Sequence, residues 1–277
     1  MSVVSHFTDQ NLYGPAGPVA SDIKQDLLGD CYLIATMASA ARQHPQHIRN
    51  MIYYDKYSQS FAVRMYDVTG HRKTIRVTQG ELADNIKRKG ASWVDNTGKY
   101  QRTWPAVVET AYAKMYDSNP SDGLQEGYQK IANGGWPKDA MMAITGSLGT
   151  ELAFKILPPL TRQASIALFG HKVAVALRRK KVVTLWSVTE KDSRGIVAKA
   201  LGLPIPQDGL VDNHVYTVMK MTMSHSGWIV TLRNPWGTNM GVGEGKDMKS
   251  PIISVALQKL VDTGGLNSFR ISDHKLA

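Results

Sequence analysis

The chain has 277 residues, of which 43% are hydrophobic and 20% are charged, and it contains one cysteine. These proportions exclude a disordered chain, and the length suits one large domain or two small ones. A single cysteine excludes a framework of intramolecular disulfides and fits a reducing compartment. The net charge of +10 is compatible with affinity for nucleic acid, an anionic membrane or an acidic partner, although a basic surface without a dedicated ligand is the commoner explanation.

Neither targeting nor membrane insertion is indicated by the sequence. The first ten residues lack the basic flank and the apolar core of a signal peptide. No stretch approaches the roughly 20 consecutive apolar residues that a membrane-spanning helix needs. We therefore expect a protein without a classical signal peptide and without a membrane span.

The first strong pattern in the chain begins at the cysteine. A polar turn containing Gly29 runs into apolar residues that recur at helical spacing after Cys31, and the pattern ends near residues 43–45. This arrangement predicts a helix that is buried on one side, with Cys31 in its first turn.

A cysteine at a helix start has two interpretations. The N-terminal end of a helix carries partial positive charge and unpaired N–H groups, which favour a thiolate and lower the pKa of the thiol. Cys31 is therefore a candidate nucleophile, and the amide of Gln25, six residues upstream, could donate a hydrogen bond to an oxyanion beside the sulfur. The alternative is an inert, small, buried residue.

The remaining pattern predicts helices first and strands later. The predicted elements after the first helix are a hairpin at 61–68 and 72–77, a polar loop at 84–102, a helix at 104–115, an irregular stretch at 117–135, helices at 138–145 and 161–180, strands at 182–188, 215–221 and 228–233, a short helix at 252–262 and a strand at 269–272. Breaks between residues 145 and 159 suggest a domain boundary near 150–160. The predicted fold class is α+β.

Two motifs in the second half supply partners for a thiolate. His214 lies where a polar loop enters a strand, and the next strand closes with Asn234, Pro235 and Trp236. Two adjacent strands would place His214 beside Asn234, where Asn234 could accept from the imidazole N–H and Trp236 could shield that bond from water. Taken singly, His214 is better explained as a structural histidine than as a catalytic one, and the Asn234 motif as a turn with an aromatic residue. The order Cys, His, Asn across a helical half and a β half favours catalysis.

These motifs resemble those of the calpain family of papain-like cysteine proteases. The resemblance is found in residues 25–33, 214–218 and 232–237. Between the first two of these segments it also includes Trp104, residues 109–114, Gly134-Gly135 and Thr145-Gly146. The resemblance covers roughly residues 12–240 and rests on four motifs in the family's order.

The resemblance implies a two-lobed papain-like core, with a helical first lobe at 1–152 and an antiparallel β second lobe at 153–277. It implies that Cys31 attacks a peptide carbonyl, that His214 transfers the proton and that Asn234 orients His214. It also implies that Gln25 helps to hold the oxyanion and that Trp236 shields the site.

Three departures concern the residues around the site. Tyr32 stands where the family usually has Trp, and Asn213 replaces a Gly. Asp26 stands in place of another Gly, where a carboxylate that pointed inward would raise the pKa of the cysteine.

A further departure concerns calcium, which the resemblance implies for each lobe. Gly17 and Asp22 match ligand positions in the first lobe, but Arg102 occupies the position of an acidic ligand. A cation there opposes Ca²⁺, which needs several oxygen ligands and negative charge. We therefore expect no cofactor and no metal in this lobe.

Three functions are compatible with these residues. The first is an endopeptidase acting on protein substrates. The second is an acyl-transfer, deamidating or amidase enzyme on the same Cys-His-Asn site. The third is a non-catalytic basic binding module, against which the four intact site residues and the absence of a nucleic-acid motif argue.

The setting is inferred from architecture. A core without flanking regulatory domains suits a bacterial effector or toxin, either cytoplasmic or delivered into a target cell. An acidic inhibitor or immunity protein is then an expected partner for a basic toxin.

Overall fold

The structure is a computed structural model that describes residues 6–25, 28–88, 102–192, 199–239, 249–274 and 276. This part of the chain combines helices with two antiparallel sheets, so the predicted α+β class is confirmed. The elements are α1 Cys31–Gln43, α2 Pro45–Met51, β1 Ile52–Asp55, β2 Ser60–Tyr66, β3 Arg72–Val77, α3 Gln79–Lys87, α4 Trp104–Met115, α5 Gln125–Ala132, α6 Pro137–Thr145, β4 Thr150–Leu152, α7 Arg162–Arg178, β5 Val183–Ser187, β6 Val215–Ser224, β7 Gly227–Arg233, β8 Ile252–Ala256, α8 Leu257–Thr263 and β9 Leu266–Ile271.

Helix α1 is the centre of the first hydrophobic cluster. Every residue from 32 to 41 is buried, and the helix packs against α2, α6 and the strand β6. Two buried hydrogen bonds join it to the strands: the hydroxyl of Thr217 donates to the carbonyl oxygen of Ala35 at 2.9 Å, and the Val183 N–H donates to Ser39 Oγ at 2.9 Å. The start of α1 is therefore fixed relative to β5 and β6.

The second hydrophobic cluster lies on the six-stranded sheet, whose order is β4-β9-β5-β6-β7-β8. Side chains along β5 alternate between its two faces, as in any strand. Leu185 packs into the second cluster, whereas Trp186 packs against the first. The helices α7 and α8 cover the Leu185 face. The opposite face meets α1, and this contact creates the site described below.

A smaller antiparallel sheet, in the order β1-β2-β3, packs near α4 and α6. The β2–β3 hairpin matches the predicted one. The strand β1 and the helices α3 and α5 were not expected, because α3 falls at the edge of the predicted polar loop and α5 within the predicted irregular stretch. Residues 252–256 form a strand where a helix was predicted, and only 257–263 are helical.

Two expectations stay predictions. They are the division of the chain into lobes at residue 152 and the effect of an inward-pointing Asp26 on Cys31. Asp26 and most of the predicted loop, residues 89–101, lie outside the described residues. Within the described ranges, no helix combines the length and the apolar character needed to cross a membrane.

Candidate active site

Cys31 is the first residue of α1 and is partly exposed, at the start of an otherwise buried helix. The backbone N–H of Val215, the residue that follows His214, donates a hydrogen bond to the Cys31 sulfur. The structure therefore brings the cysteine segment and the histidine segment together, although 183 positions separate them along the chain. The placement of Cys31 at a helix start agrees with the sequence analysis.

His214 is buried where the chain enters β6. Its backbone is fixed on both sides by Ser187 of β5, because the Ser187 N–H donates to the His214 carbonyl oxygen at 2.9 Å and the His214 N–H donates to Ser187 Oγ at 3.3 Å. The ring Nε2 lies 3.1 Å from the side-chain oxygen of Asn234, a wholly buried residue at the end of β7. The antiparallel pairing of β6 with β7 produces this contact.

The orientation of the Asn234 amide defines the imidazole tautomer. The backbone N–H of Trp236 also donates to Asn234 Oδ1, at 3.1 Å, so this oxygen accepts from both the backbone of Trp236 and the ring of His214. His214 Nε2 must then carry the hydrogen, and the neutral ring keeps Nδ1 as its basic nitrogen. This is the tautomer that a base needs when it is oriented by a third residue.

Two aromatic rings enclose the imidazole. The Trp236 ring centre lies 4.8 Å from that of His214, and Tyr216 packs edge-on at 4.9 Å. Trp236 thus lies where the sequence analysis expects a shielding residue. Burial lowers the pKa of His214 to about 4, and the hydrogen bond that the ring donates to Asn234 acts in the opposite direction.

The expectation of a lowered thiol pKa is wrong for this structure. Burial raises the pKa of Cys31 to about 11, and the nearby Asp30 carboxyl raises it further, while the Val215 N–H acts in the opposite direction. Desolvation of the sulfur outweighs the positive end of the helix. The directions of the Cys31 and His214 shifts favour a neutral thiol beside a neutral imidazole.

Gln25 is buried next to the turn that carries Asn234. Its backbone N–H donates to the Pro235 carbonyl oxygen at 2.8 Å, so the segment before α1 is docked on the second sheet. Its side-chain Nε2 donates to the Leu28 carbonyl oxygen. To donate a hydrogen bond to an oxyanion, the Gln25 side chain would have to break its hydrogen bond to the Leu28 carbonyl oxygen.

The residues at the proposed calcium position do not fit the ion. Asp22 is buried, and its Oδ2 accepts from Trp104 Nε1 at 2.9 Å. Its Oδ1 lies 3.6 Å from Arg102 Nε. Gly17 lies against a second guanidinium, because a Cβ there would come within 2.4 Å of Arg49. One carboxylate with guanidinium groups nearby lacks the several oxygen ligands and the negative charge that Ca²⁺ needs, so a first lobe without calcium stays a prediction.

Arg233 connects this position to Asn234, and the sequence analysis did not select it as a site residue. Its side chain is buried at the end of β7, directly before Asn234, and donates to the Ile23 carbonyl oxygen. Burial lowers its pKa to about 10, while the charge of Asp22 opposes that shift. The sequence signal that could have identified Arg233 is a charged residue at the end of an apolar strand. A buried arginine requires an anionic partner, so such a residue points to an acid elsewhere in the chain.

A cavity of about 240 Å³ lies against β5 and β9, and its wall includes Thr184, Ser268 and Arg270. Trp136 and Trp186 form part of its wall, with their ring centres 5.2 Å apart. Trp186 pairs with Val215 in the sheet, which places the cavity one strand away from the residue that contacts Cys31.

The sequence comparisons agree with this geometry. A family profile described as "Calpain family cysteine protease" matches residues 5–250, which is most of the chain. The chain belongs to the calpain family of cysteine proteases.

Individual relatives of the chain are distant. The "Thiol protease" of Porphyromonas gingivalis is 23% identical over 235 residues, covering 80% of this chain and 45% of that protein. The "Calpain-type cysteine protease DEK1" of Arabidopsis thaliana is 24% identical over 82% of this chain and 9% of its own length. "Calpain-13" of Rattus norvegicus is 25% identical over 78% of this chain and 29% of its own length. The chain therefore spans less than half the length of these relatives.

Proposed function

We propose that this calpain-family chain is a cysteine endopeptidase with Cys31 as its nucleophile. The observation that carries the proposal is the hydrogen bond between His214 Nε2 and Asn234 Oδ1, on a histidine whose neighbour Val215 contacts the Cys31 sulfur. This arrangement brings the thiol into contact with the residue that follows the base, and it holds the base against the residue that orients it.

The proposed reaction has two stages. As the sulfur attacks the peptide carbonyl, the thiol proton passes to His214 Nδ1, and the imidazolium then protonates the leaving amine. Water, deprotonated by the same nitrogen, releases the acyl group and restores the thiol. Asn234 keeps the ring in place throughout, and Gln25 is the candidate donor to the oxyanion once its Nε2 leaves Leu28.

The surroundings favour a peptide as the substrate. The tryptophan-walled cavity lies one strand away from Val215, which contacts the Cys31 sulfur, and its volume accommodates a substrate side chain. The same Cys-His-Asn chemistry would support acyl transfer or deamidation, and product analysis distinguishes these reactions. Hydrolysis of casein into fragments with new amino termini supports an endopeptidase, whereas release of ammonia without fragments contradicts it.

We predict that activity is independent of calcium in the first lobe, because Arg102 lies beside Asp22. Casein cleavage by the wild type should be equal in chelator and in calcium. The variant Arg102→Glu should restore an acidic ligand, so that calcium raises its melting temperature and binds measurably by titration calorimetry. An equal calcium response in wild type and variant would contradict this prediction.

We further propose that the enzyme is a bacterial effector or toxin, acting in the cytoplasm of its own or of a target cell, with an acidic protein as its inhibitor. Support comes from the net charge of +10 and from the match to a bacterial thiol protease. Expression in a host cytoplasm should be harmful for the wild type and harmless for Cys31→Ala. Equal growth with both proteins would remove the support for this setting.

A further inference from the structure

Two buried acids lie directly behind the nucleophile. Asp30 is wholly buried and immediately precedes Cys31, and Glu109 is buried on α4. Their carboxyl groups face each other at hydrogen-bonding range. Among the described residues, no N–H or O–H donor of another side chain reaches either oxygen of Asp30. Burial first, and then the charge of Glu109, raise the pKa of Asp30 well above its usual range, whereas a hydrogen bond from its own backbone N–H acts in the opposite direction and is the smallest of these effects.

Two facing carboxylates in a dry interior cannot both be ionised, so the pair must hold a proton. The contacts of Glu109 indicate where that proton lies. Asn85 Nδ2 donates to Glu109 Oε2 and also lies 2.9 Å from the Tyr128 hydroxyl. An amide N–H on Glu109 stabilises its ionised form, which leaves the proton on Asp30.

We propose that Asp30 is a neutral carboxylic acid that donates its hydrogen to Glu109, and that this pair is a positioning element that keeps negative charge away from the Cys31 sulfur. The inference rests on Cys31 being the nucleophile of the proposed peptidase. An ionised Asp30 would oppose the thiolate, since its charge raises the pKa of Cys31.

Within the part of the chain that the structure describes, the other titratable groups that act on Asp30 or on its neighbours bring no positive charge to Asp30. They are Cys31 and Tyr32 on α1, Tyr128 on α5 and Arg88, which follows α3. Burial raises the pKa of both tyrosines, which are therefore neutral. Arg88 stacks over the Tyr128 ring at 4.6 Å and acts on that hydroxyl.

The single cysteine makes the test direct, because iodoacetamide alkylation read by intact mass reports Cys31 without any substrate. In Glu109→Gln, the new amide should donate to Asp30, ionise it and raise the pKa of Cys31, slowing alkylation at pH 7 by about 10-fold. Asp30→Asn imitates the neutral acid and should keep the wild-type pH profile. The double variant should restore that profile.

Several outcomes distinguish this proposal from others. If Asp30 is ionised in the wild type, Asp30→Asn should speed alkylation and Glu109→Gln should leave it unchanged, and this would overturn the proposal. A Glu109→Gln protein whose pH profile of alkylation matches the wild type would also overturn the proposal. If only its stability fell, the role of Glu109 would be purely structural. Infrared spectra should show a protonated carboxyl band in the wild type that both single variants lose. The exposed acid Glu126, changed to Gln, is the control. Normal alkylation without casein cleavage would instead count against the proposed peptidase.

Discussion

Replacing Cys31 with Ala should reduce peptide hydrolysis to the background rate, because no other thiol exists in the chain to form the acyl-enzyme. Replacing His214 with Ala should reduce kcat by about 10²–10⁴-fold or more, since it removes the base that lies against Asn234. Initial rates on casein, at several substrate concentrations, measure both effects.

A matched control separates catalysis from folding. His47 is also a largely buried histidine, and its ring bonds to the Ile144 carbonyl oxygen at 2.8 Å, away from the site. His47→Ala should change stability and leave kcat of the folded protein within about threefold of the wild type. A His214→Ala protein that kept wild-type kcat would remove His214 from the mechanism.

Asp22→Ala should lower the free energy of unfolding by about 3–5 kcal/mol, the typical cost of leaving a buried charge without its partner. The charge left without its anionic neighbour would be Arg233, which is buried at the end of β7 and donates to the Ile23 carbonyl oxygen in the segment preceding α1. The variant also loses the acceptor of the Trp104 indole N–H. Urea unfolding curves measure the change.

An exposed ion pair provides the reference for that measurement. Arg162 and Asp262 lie 2.9 Å apart with their side chains about half exposed, so Asp262→Ala should cost less than about 1 kcal/mol. Changing Asp22 and Arg233 together to apolar residues should recover part of the loss, because no unpaired charge remains. Equal costs for Asp22→Ala and Asp262→Ala would show that Asp22 is not the charge partner of Arg233.

The main helices and the strands next to His214 and Asn234 could be predicted because each depends on local sequence. The helix that starts at Cys31 and the strands that carry His214 and Asn234 all have clear apolar periods. The helix α3 was missed although Thr78 and Glu81 form a capping box at its start, since the following residues are mostly polar. The helix α5 was hidden by Gly127, whose Cβ would collide with the Ala113 carbonyl oxygen.

The environment of the site could not be predicted in the same way. The pKa of Cys31 depends on burial against β6, and the role of Arg233 depends on an anion 211 positions earlier in the chain. The Asp30–Glu109 pair likewise joins two helices that are far apart in sequence. Such long-range pairings have no periodic pattern, so only the folded structure reveals them.

The most direct test of the central claim is the reaction of the purified protein with an epoxide thiol inhibitor in the presence of chelator, read by intact mass. The cysteine-peptidase account predicts one adduct per chain, located at Cys31, absent in Cys31→Ala and much slower in His214→Ala. A wild type that stays unlabelled with and without calcium, or a His214→Ala protein that labels as fast as the wild type, would contradict the account.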